Sequence, residues 1–344
     1  MFIVRADGNA KIGAGHMMRC LTIADALSAQ RNESKEILFV CGDEQSAELA
    51  GNRGYEVFVL ESESGNLETE LSLWPRIPEI EKEPNEILVD SYFVTDRYLR
   101  EIGKYGRVTL LDDMGEKCFP VRRIINYNAF ADRPYYVELY GNTDTELILG
   151  SAYVPLRPQF HRKSYCVRER AENVLITTGG GDNDNIAGRI LKRVEGEAGD
   201  GLDYHLIIGN FNPHFEEMRT LGEQYDNIHI HHNVQDMAGL MEQCDLAITA
   251  GGSTVYELAA LGVPFVCFSY AENQEKLTDF LGREGIALAA GAYHKDPEGV
   301  LNRIAEQVTA LINNRELRDR CSLRERKLTD GLGAERLAEV LGVR

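Results

Sequence analysis

The sequence predicts an α/β protein with two Rossmann-like domains, because short apolar segments alternate with amphipathic segments along most of its 344 residues. The apolar segments carry few polar residues, which is typical of parallel strands that helices cover on both faces. The length also favours two domains, since a domain usually spans roughly 100–200 residues. The predicted strands are Phe2–Ala6, Ile37–Cys41, Tyr55–Leu60, Ile87–Asp90, Val108–Asp112, Ile124–Tyr127, Asn173–Thr177, Tyr204–Ile208, Ile228–His231, Leu246–Ala250 and Pro264–Phe268.

The boundary between the two predicted domains lies where this alternation weakens. Between Ala129 and Arg170 several prolines and a charged stretch interrupt the pattern, and Asn173–Thr177 then begins a new α/β unit. We therefore place an N-terminal domain at residues 1–157 and a C-terminal domain at residues 158–344.

The charge and the cysteine pattern exclude several classes of protein. The chain has 37 Lys and Arg residues against 55 Asp and Glu residues, a formal net charge of −18. Nucleic acids and anionic membranes bind basic surfaces, so neither is expected as a partner. No apolar run approaches the ~20 residues that span a bilayer, and no signal peptide is recognisable, so we expect a cytoplasmic protein without membrane insertion. Seven dispersed cysteines without zinc-site spacing favour reduced thiols, and no metal site is predicted.

The loop after the first predicted strand combines glycine with histidine. Gly13 and Gly15 precede His16, the expected first residue of a helix; such glycines let the backbone approach a ligand, and free N–H groups there favour anions. An imidazole can accept a proton from water near neutral pH, and a carboxylate such as Asp7 would increase its basicity. His16 is thus a candidate general base, with a capping or surface histidine as the alternative. No nicotinamide cofactor is expected, because Met18 occupies the third glycine position of that fingerprint.

A second glycine turn follows the predicted strand Leu246–Ala250. Its backbone N–H groups and hydroxyls would donate hydrogen bonds to a diphosphate, and Glu257, one helical turn later, would accept hydrogen bonds from both ribose hydroxyls. A capping Ser253 and a surface Glu257 are the alternative. The predicted contacts include two residues beyond the next strand, where open α/β sheets bind ligands; the set is Gly251, Gly252, Ser253, Thr254, Glu257, Asn273 and Gln274.

A third glycine turn and a basic segment complete the predicted site. Gly180, Gly181 and Asp182 follow Asn173–Thr177, and Arg157 begins the segment 157–170, which holds five basic residues and one acidic residue. Three such turns in two α/β units suggest domains that face each other across a cleft. We expect the C-terminal domain to bind a nucleoside diphosphate at a locally positive site, with His16 supplied by the N-terminal domain.

These motifs resemble the UDP-sugar hydrolases of pseudaminic acid biosynthesis. The N-terminal histidine motif is the more specific part of the resemblance. The motif Gly251–Glu257 is shared with two-domain GT-B glycosyltransferases, which include the lipid II-forming N-acetylglucosaminyltransferase, so it indicates a nucleotide site rather than a reaction. The matching segments, in order, are Arg5–Leu21, Val89–Tyr92, Leu111–Asp113, Asn126–Ala129, Gly150–Arg157, Gly179–Asp182 and Gly251–Gln274.

The resemblance implies a GT-B-like fold and a metal-independent hydrolase without cofactors, which cleaves UDP-2,4-diacetamido-2,4,6-trideoxy-β-L-altropyranose into UDP and free sugar. It implies that His16 activates water for inverting attack at the anomeric carbon. Tyr92 would orient the water or the sugar, and Asp7 would orient His16 or bind the sugar. The alternatives are a glycosyltransferase that uses the same cleft and a non-catalytic module that binds a UDP-sugar. A monomer is plausible, but the sequence does not set the oligomeric state.

Overall fold

The computed structural model describes residues 1–9, 12–30, 37–63, 65–78, 80–81, 85–161, 164–197, 201–209 and 212–342. The chain divides into two compact units, Met1–Pro155 with Leu332–Arg344, and Leu156–Gly331. Each unit contains one sheet in which the strand pairs are parallel. No helix within the described residues is long and apolar enough to cross a membrane.

In the described part of the N-terminal unit, seven strands form a sheet in the order β3-β2-β1-β4-β5-β6-β7. The strands are β1 (Phe2–Ala6), β2 (Ile37–Cys41), β3 (Glu56–Val59), β4 (Asn85–Asp90), β5 (Gly106–Leu111), β6 (Arg123–Asn126) and β7 (Glu146–Leu149). The α-helices are α1 (Gly15–Gln30), α2 (Glu44–Gly51), α3 (Asp96–Ile102) and α4 (Arg133–Tyr140), and the 3₁₀ helices are Leu67–Ser72, Trp74–Arg76 and Ser151–Tyr153.

The core of this unit explains why its central strands are continuous apolar runs in the sequence. Every residue of β1, β2 and β4 is buried, as expected where helices cover both faces of a parallel sheet. On one face, Ile3, Val40 and Val89 pack with the fully buried Trp74, whose indole N–H donates to the hydroxyl of Tyr98. The centre of this sheet is therefore largely apolar on both faces.

The described residues of the C-terminal unit contribute six strands in the order β10-β9-β8-β11-β12-β13. The strands are β8 (Asn173–Thr177), β9 (Asp203–Ile207), β10 (Ile228–His231), β11 (Leu246–Ala250), β12 (Phe265–Ser269) and β13 (Leu288–Ala292). The helices are α5 (Ile186–Glu197), α6 (Phe215–Gln224), α7 (Met237–Gln243), α8 (Thr254–Leu261), α9 (Glu272–Arg283), α10 (Pro297–Asn313) and α11 (Arg315–Glu325), with a 3₁₀ helix at Pro158–His161.

The predicted parallel α/β class is confirmed, and all eleven predicted strands are present with small differences at their ends. Two strands, β7 and β13, were not predicted. Both lie at a sheet edge, and each buries a single residue, Ile148 in β7 and Ala290 in β13. β7 lies between Ala129 and Arg170, where the alternation weakens, and β13 is mostly alanine and glycine, which are uncommon in strands.

The C-terminal helix α12 (Gly333–Gly342) differs from the expectation, because it belongs to the N-terminal unit rather than to one domain at residues 158–344. It packs against α1, and Gln30 donates a hydrogen bond to the backbone oxygen of Glu335. Gly333 approaches the backbone so closely that a Cβ there would lie 2.1 Å from the carbonyl oxygen of Val154. The apolar face of α12 would suit either unit, so the sequence pattern does not decide which one it joins.

Candidate functional site

The strand order of the N-terminal sheet reverses between β1 and β4, so the segments that follow these strands meet at one edge. Asp90 ends β4 and pairs in register with Ala6, which ends β1. His16 is the second residue of α1, the helix after β1. Its Nδ1 lies 2.6 Å from Oδ1 of Asp90, and both side chains are buried. The point where the strand order reverses therefore brings together an imidazole and a carboxylate that are 74 residues apart in the chain.

Arg19 helps to keep Asp90 ionised. Its Nη2 lies 2.6 Å from Oδ1 of Asp90, and its Nε donates to Oδ2. Burial disfavours the charge on Asp90, but the charges of Arg19 and His16 outweigh burial and hold the pKa of this carboxyl well below its usual range. Asp90 is therefore an acceptor, so the proton of a neutral His16 lies on Nδ1. The Nε2 lone pair stays available, and no hydrogen bond joins Nε2 to another described residue.

Tyr92 and Asp113 extend this cluster. The ring of Tyr92 stands edge-on to the ring of His16, with 4.6 Å between centroids. The hydroxyl of Tyr92 donates to Oδ2 of Asp113 at 3.2 Å, and Nη1 of Arg19 donates to the same oxygen at 2.6 Å. Arg19 also donates to the hydroxyl of Tyr127. The structure thus places the predicted residues His16 and Tyr92 side by side, and it adds Asp90, Arg19 and Asp113, which the sequence analysis did not select.

Asp7 has a different task from the one expected. Its carboxylate accepts a hydrogen bond from the backbone N–H of Gly42 at 2.7 Å and pairs with Nη1 of Arg5 at 2.8 Å. Arg5 in turn pairs with the buried Glu70. The expectation that Asp7 orients His16 is wrong, because Asp7 ties the end of β1 to the end of β2 while Asp90 binds the imidazole. A signal for Asp90 was available, since it ends a strand within the Val89–Tyr92 motif, but only the sheet order shows that this strand neighbours β1.

The glycines before His16 leave open space, as close approach by a ligand requires. Gly13 has a φ of +79°, a conformation that other residues rarely adopt, and its N–H donates to the carbonyl of Asn9. A Cβ at Gly13 or Gly15 would meet no atom within 4 Å. Asn9 donates to Oδ2 of Asp43, which holds the described part of the loop against α2.

In the C-terminal unit, the second glycine turn contains two glycines with different surroundings. A Cβ at Gly251 would lie 2.4 Å from Oγ1 of the buried Thr278, so Gly251 is required for the packing of α9. A Cβ at Gly252 would meet nothing within 4 Å. Ser253 makes no side-chain capping bond to α8, and no described residue accepts a hydrogen bond from the backbone N–H of Ser253 or Thr254. The turn thus presents unused donors at a helix N-terminus.

Arg157 and Glu257, two predicted binding residues, lie together. Nη2 of Arg157 is 3.4 Å from Oε1 of Glu257, and its guanidinium stacks on Phe160. Burial raises the pKa of Glu257, although the charge of Arg157 partly opposes this shift. Of the other basic residues in segment 157–170, Arg168 pairs with Asp245, while positions 162 and 163 lie outside the described residues.

Asn273 and Gln274 occupy the first turn of α9. Asn273 is exposed, and the side-chain oxygen of Gln274 accepts a hydrogen bond from the backbone N–H of Tyr270 at 3.1 Å. Gln274 also borders the second glycine turn, since its backbone oxygen lies 3.3 Å from the position of a Cβ at Gly251. These two residues therefore lie beside the unused donors of that turn.

In the third glycine turn, the two glycines have open surroundings, whereas Asp182 caps a helix. A Cβ at Gly180 or Gly181 would meet nothing within 4 Å. Asp182, by contrast, is buried and accepts hydrogen bonds from the backbone N–H groups of Ile186 and Ala187 at 2.7 and 2.8 Å. Its carboxylate thus satisfies the N-terminus of α5, whereas we expected it to contact a ligand.

Comparison with known proteins agrees with this architecture. Residues 173–328 match the model of the glycosyltransferase family 28 C-terminal domain. The spore coat polysaccharide biosynthesis protein SpsG of Bacillus subtilis is 25% identical over 98% of this chain and 96% of its own length. The UDP-2,4-diacetamido-2,4,6-trideoxy-beta-L-altropyranose hydrolase of Campylobacter jejuni is 24% identical over 82% of this chain and 96% of its own length.

Among solved structures, MurG of Acinetobacter baumannii superposes with a TM-score of 0.68 at 15% identity, covering 99% of this chain and 98% of MurG. The predicted GT-B-like fold is confirmed by this similarity over the full chain. The protein is accordingly a two-domain α/β protein with the fold of GT-B glycosyltransferases, related in sequence to a UDP-sugar hydrolase and to a glycosyltransferase domain.

Proposed function

We propose that this protein hydrolyses a UDP-linked sugar to UDP and free sugar, with His16 as the general base. The observation that carries the proposal is the state of His16, whose Nδ1 is held by the ionised Asp90 while Nε2 is unengaged among the described residues. An imidazole held in this tautomer is prepared to take a proton from water, and Asp90 then stabilises the imidazolium that forms. The glycines that precede His16 leave room for a ligand.

The proposed reaction breaks the bond between the anomeric carbon and the oxygen of UDP. Nε2 of His16 takes a proton from water as the water oxygen attacks the anomeric carbon from the face opposite UDP. The electron pair of the broken bond stays on the leaving oxygen of UDP, and the sugar is released with inverted configuration. Tyr92, beside His16, would hydrogen-bond the water or the sugar, and its own hydroxyl is oriented by Asp113.

The C-terminal unit is proposed to hold UDP. The N–H groups and hydroxyls of Ser253 and Thr254 would bind the diphosphate and stabilise the charge that develops on it, since preorganised donors are most effective where charge appears. Gly180, Gly181 and Gly252 would allow close approach of the backbone. Glu257, oriented by Arg157, would bind the ribose, with Asn273 and Gln274 nearby on α9.

For the sugar, we propose a 2,4-diacetamido-2,4,6-trideoxy hexose of the L-altrose type, used in the biosynthesis of a nonulosonic acid. Two facts support this assignment: the histidine loop resembles the hydrolases of pseudaminic acid biosynthesis, and the related Campylobacter jejuni protein is a hydrolase of that UDP-sugar. The proposed chemistry uses the residues of this chain without a metal ion, so activity should persist in EDTA.

The decisive experiment incubates the purified protein with this UDP-sugar in ¹⁸O-labelled water, with EDTA and without an acceptor. We expect release of UDP that carries no ¹⁸O, because the C–O bond rather than the P–O bond breaks. His16→Ala should abolish most of the release, whereas His232→Ala, which changes an exposed histidine of the C-terminal unit, should not. No release by the wild type, full activity of His16→Ala, or ¹⁸O in UDP would each refute the proposal.

Glycosyl transfer to an acceptor is the second candidate function. Residues 173–328 match a glycosyltransferase domain, and Tyr92, Phe93 and Met114, which follow β4 and β5, are exposed. Tyr92 lies beside His16 and offers apolar surface for an acceptor. In this case His16 would take the proton of an acceptor hydroxyl. UDP release that requires an added acceptor would favour transfer over hydrolysis.

A further inference from the structure

We propose that Arg19 is a positioning residue that joins His16 and Tyr92 into one coupled unit, acting through Asp90 on one side and Asp113 on the other. The inference rests on the proposed function, in which His16 is the base, and it adds the residue that sets the geometry of the base. Arg19 does not need to touch the substrate in this role.

The contacts of Arg19 leave little freedom in the cluster. Its Nε and Nη2 bind the two oxygens of Asp90, a two-point contact that fixes the plane of the carboxylate against Nδ1 of His16. The third nitrogen, Nη1, binds Oδ2 of Asp113, the same oxygen that accepts the hydroxyl of Tyr92. One guanidinium therefore sets the direction of both carboxylates, and each carboxylate holds one of the two residues proposed to act on water and sugar.

The helix supplies the spacing that makes this possible. His16 and Arg19 are three residues apart in α1, so both side chains leave the same face of the helix toward the end of β4. Asp90 ends β4, and Asp113 lies two residues beyond the end of the neighbouring strand β5. A guanidinium has the planar, forked shape that binds two acceptors at once, whereas a lysine ammonium is a point charge on a flexible stem.

The charges of the cluster also favour the proposed proton transfer. Asp90 and Asp113 carry two negative charges against the one positive charge of Arg19, so the cluster has an excess negative charge while His16 is neutral. Proton uptake by His16 brings the cluster to neutrality. Because Arg19 and Asp90 are largely shielded from water, at 12% and 1% side-chain exposure, the compensation acts at short range with little screening.

The test is a double-mutant cycle on the rate of UDP release. Asp90→Asn should lower kcat by about 10²-fold, and Asp113→Asn by about 10-fold, although Asp113 does not contact His16. If Arg19 couples them, the double variant should lose little more than Asp90→Asn alone. Arg19→Lys, which keeps the positive charge and protects folding, should lower kcat by about 10–10²-fold with little change in KM, and in this background Asp113→Asn should have an effect below about 3-fold.

The matched control is Arg123→Lys. Arg123 is also buried in the N-terminal unit and also binds two carboxylates, those of Glu86 and Glu146, but its contacts do not include the residues of the cluster. This variant should keep kcat within about 2-fold, since it disturbs a comparable ion pair outside the cluster. The role of Arg19 would be overturned if the kcat loss of the double variant equalled the product of the losses of Asp90→Asn and Asp113→Asn. It would also be overturned if Arg123→Lys lowered kcat as much as Arg19→Lys.

A measurement independent of activity separates this inference from the proposed function. Long-range ¹H–¹⁵N NMR of ¹⁵N-histidine protein should show His16 protonated at Nδ1 in the wild type and in Arg123→Lys, and a mixture of tautomers in Arg19→Lys. An unchanged tautomer in Arg19→Lys would refute the positioning role. If the wild type releases no UDP, the proposed function fails, while the NMR result still decides for or against Arg19.

Discussion

The two units have similar sheet topology but place different chemistry at equivalent points. Each sheet reverses its strand order next to its first strand, between β1 and β4 in the N-terminal unit and between β8 and β11 in the C-terminal unit. At the first point the chain places His16, Arg19 and Asp90, three interlocked ionisable side chains. At the second point it places the glycine turns at residues 179–181 and 251–254, where backbone N–H groups dominate.

This difference separates the two tasks that the proposed hydrolysis requires. A base must hold a defined tautomer, and that requires neighbouring groups of fixed charge and geometry. A diphosphate must be held by many donors at close range, and that requires small residues and a helix N-terminus. The comparison predicts that changes to His16 and its cluster in the N-terminal unit lower kcat, whereas changes in the C-terminal turns raise KM and weaken UDP binding.

The largest effect is expected from His16→Ala. Removal of a general base should lower kcat by about 10²–10⁴-fold, because the proton of the attacking water then has no acceptor. The affinity for UDP, measured by isothermal titration calorimetry, should stay within about 2-fold of the wild type, since the base is not part of the proposed nucleotide contacts. A parallel loss of UDP affinity would contradict the separation of tasks between the units.

The two glycines of the second turn should respond in opposite ways. Gly252→Ala places a methyl group in open space, so the melting temperature should stay unchanged. The affinity for UDP should fall by about 10-fold, because the methyl group keeps the diphosphate away from the backbone N–H groups. Gly251→Ala should lower the free energy of unfolding by about 1–3 kcal/mol, because its methyl group would overlap Thr278. Calorimetry of unfolding and of UDP binding checks both, and equal stability losses would show that Gly252 is also a packing residue.

Asp182→Ala should affect stability more than binding. The carboxylate of Asp182 accepts two N–H groups at the start of α5, and the loss of such a cap typically lowers the free energy of unfolding by about 0.5–2 kcal/mol. Denaturant titration measures this loss. Asp182→Asn, which retains a side-chain acceptor, should lose less, and a variant that keeps its stability but loses UDP affinity would restore the ligand-binding role that the sequence suggested.

The smallest effect concerns the dependence of stability on pH. His205 on β9 stacks with His229 and His231 on β10, at ring centroid distances of 4.7 and 5.3 Å. Burial, together with these two neighbours, lowers the pKa of His205 from 6.5 to about 4. The unfolded chain therefore binds more protons between these values, so folded stability should decrease as the pH falls from 6.5 toward 4.

The effect is limited because these histidines are only partly buried, and it should stay below about 1 kcal/mol between pH 7 and 5. Urea titrations at several pH values measure it. The decrease should be smaller in His205→Asn and unchanged in His232→Asn, whose histidine lies outside the stack. An equal pH dependence in both variants would assign the effect to other groups.

Local patterns were sufficient to predict most of the fold. Most of the predicted strands are runs of buried apolar residues, so the signal lies within five or six neighbouring positions. The edge strands β7 and β13 were not predicted because β7 lies where the alternation of segments weakens and β13 is mostly alanine and glycine. The His16 loop was recognisable for the same local reason, since Gly13, with its positive φ, lies only two residues before the start of α1.

What the sequence determined by itself is the class of the fold, the position of His16 at the start of a helix, and the glycine turns of the C-terminal unit. Only the tertiary structure decided which carboxylate serves His16, since Asp7 lies nearer in sequence but turns toward β2, while Asp90 arrives through the pairing of β1 with β4. It also decided that Asp182 caps a helix and that α12 packs on α1. The physical reason is that strand and helix propensities are local, whereas strand order and packing depend on contacts between residues far apart in the chain.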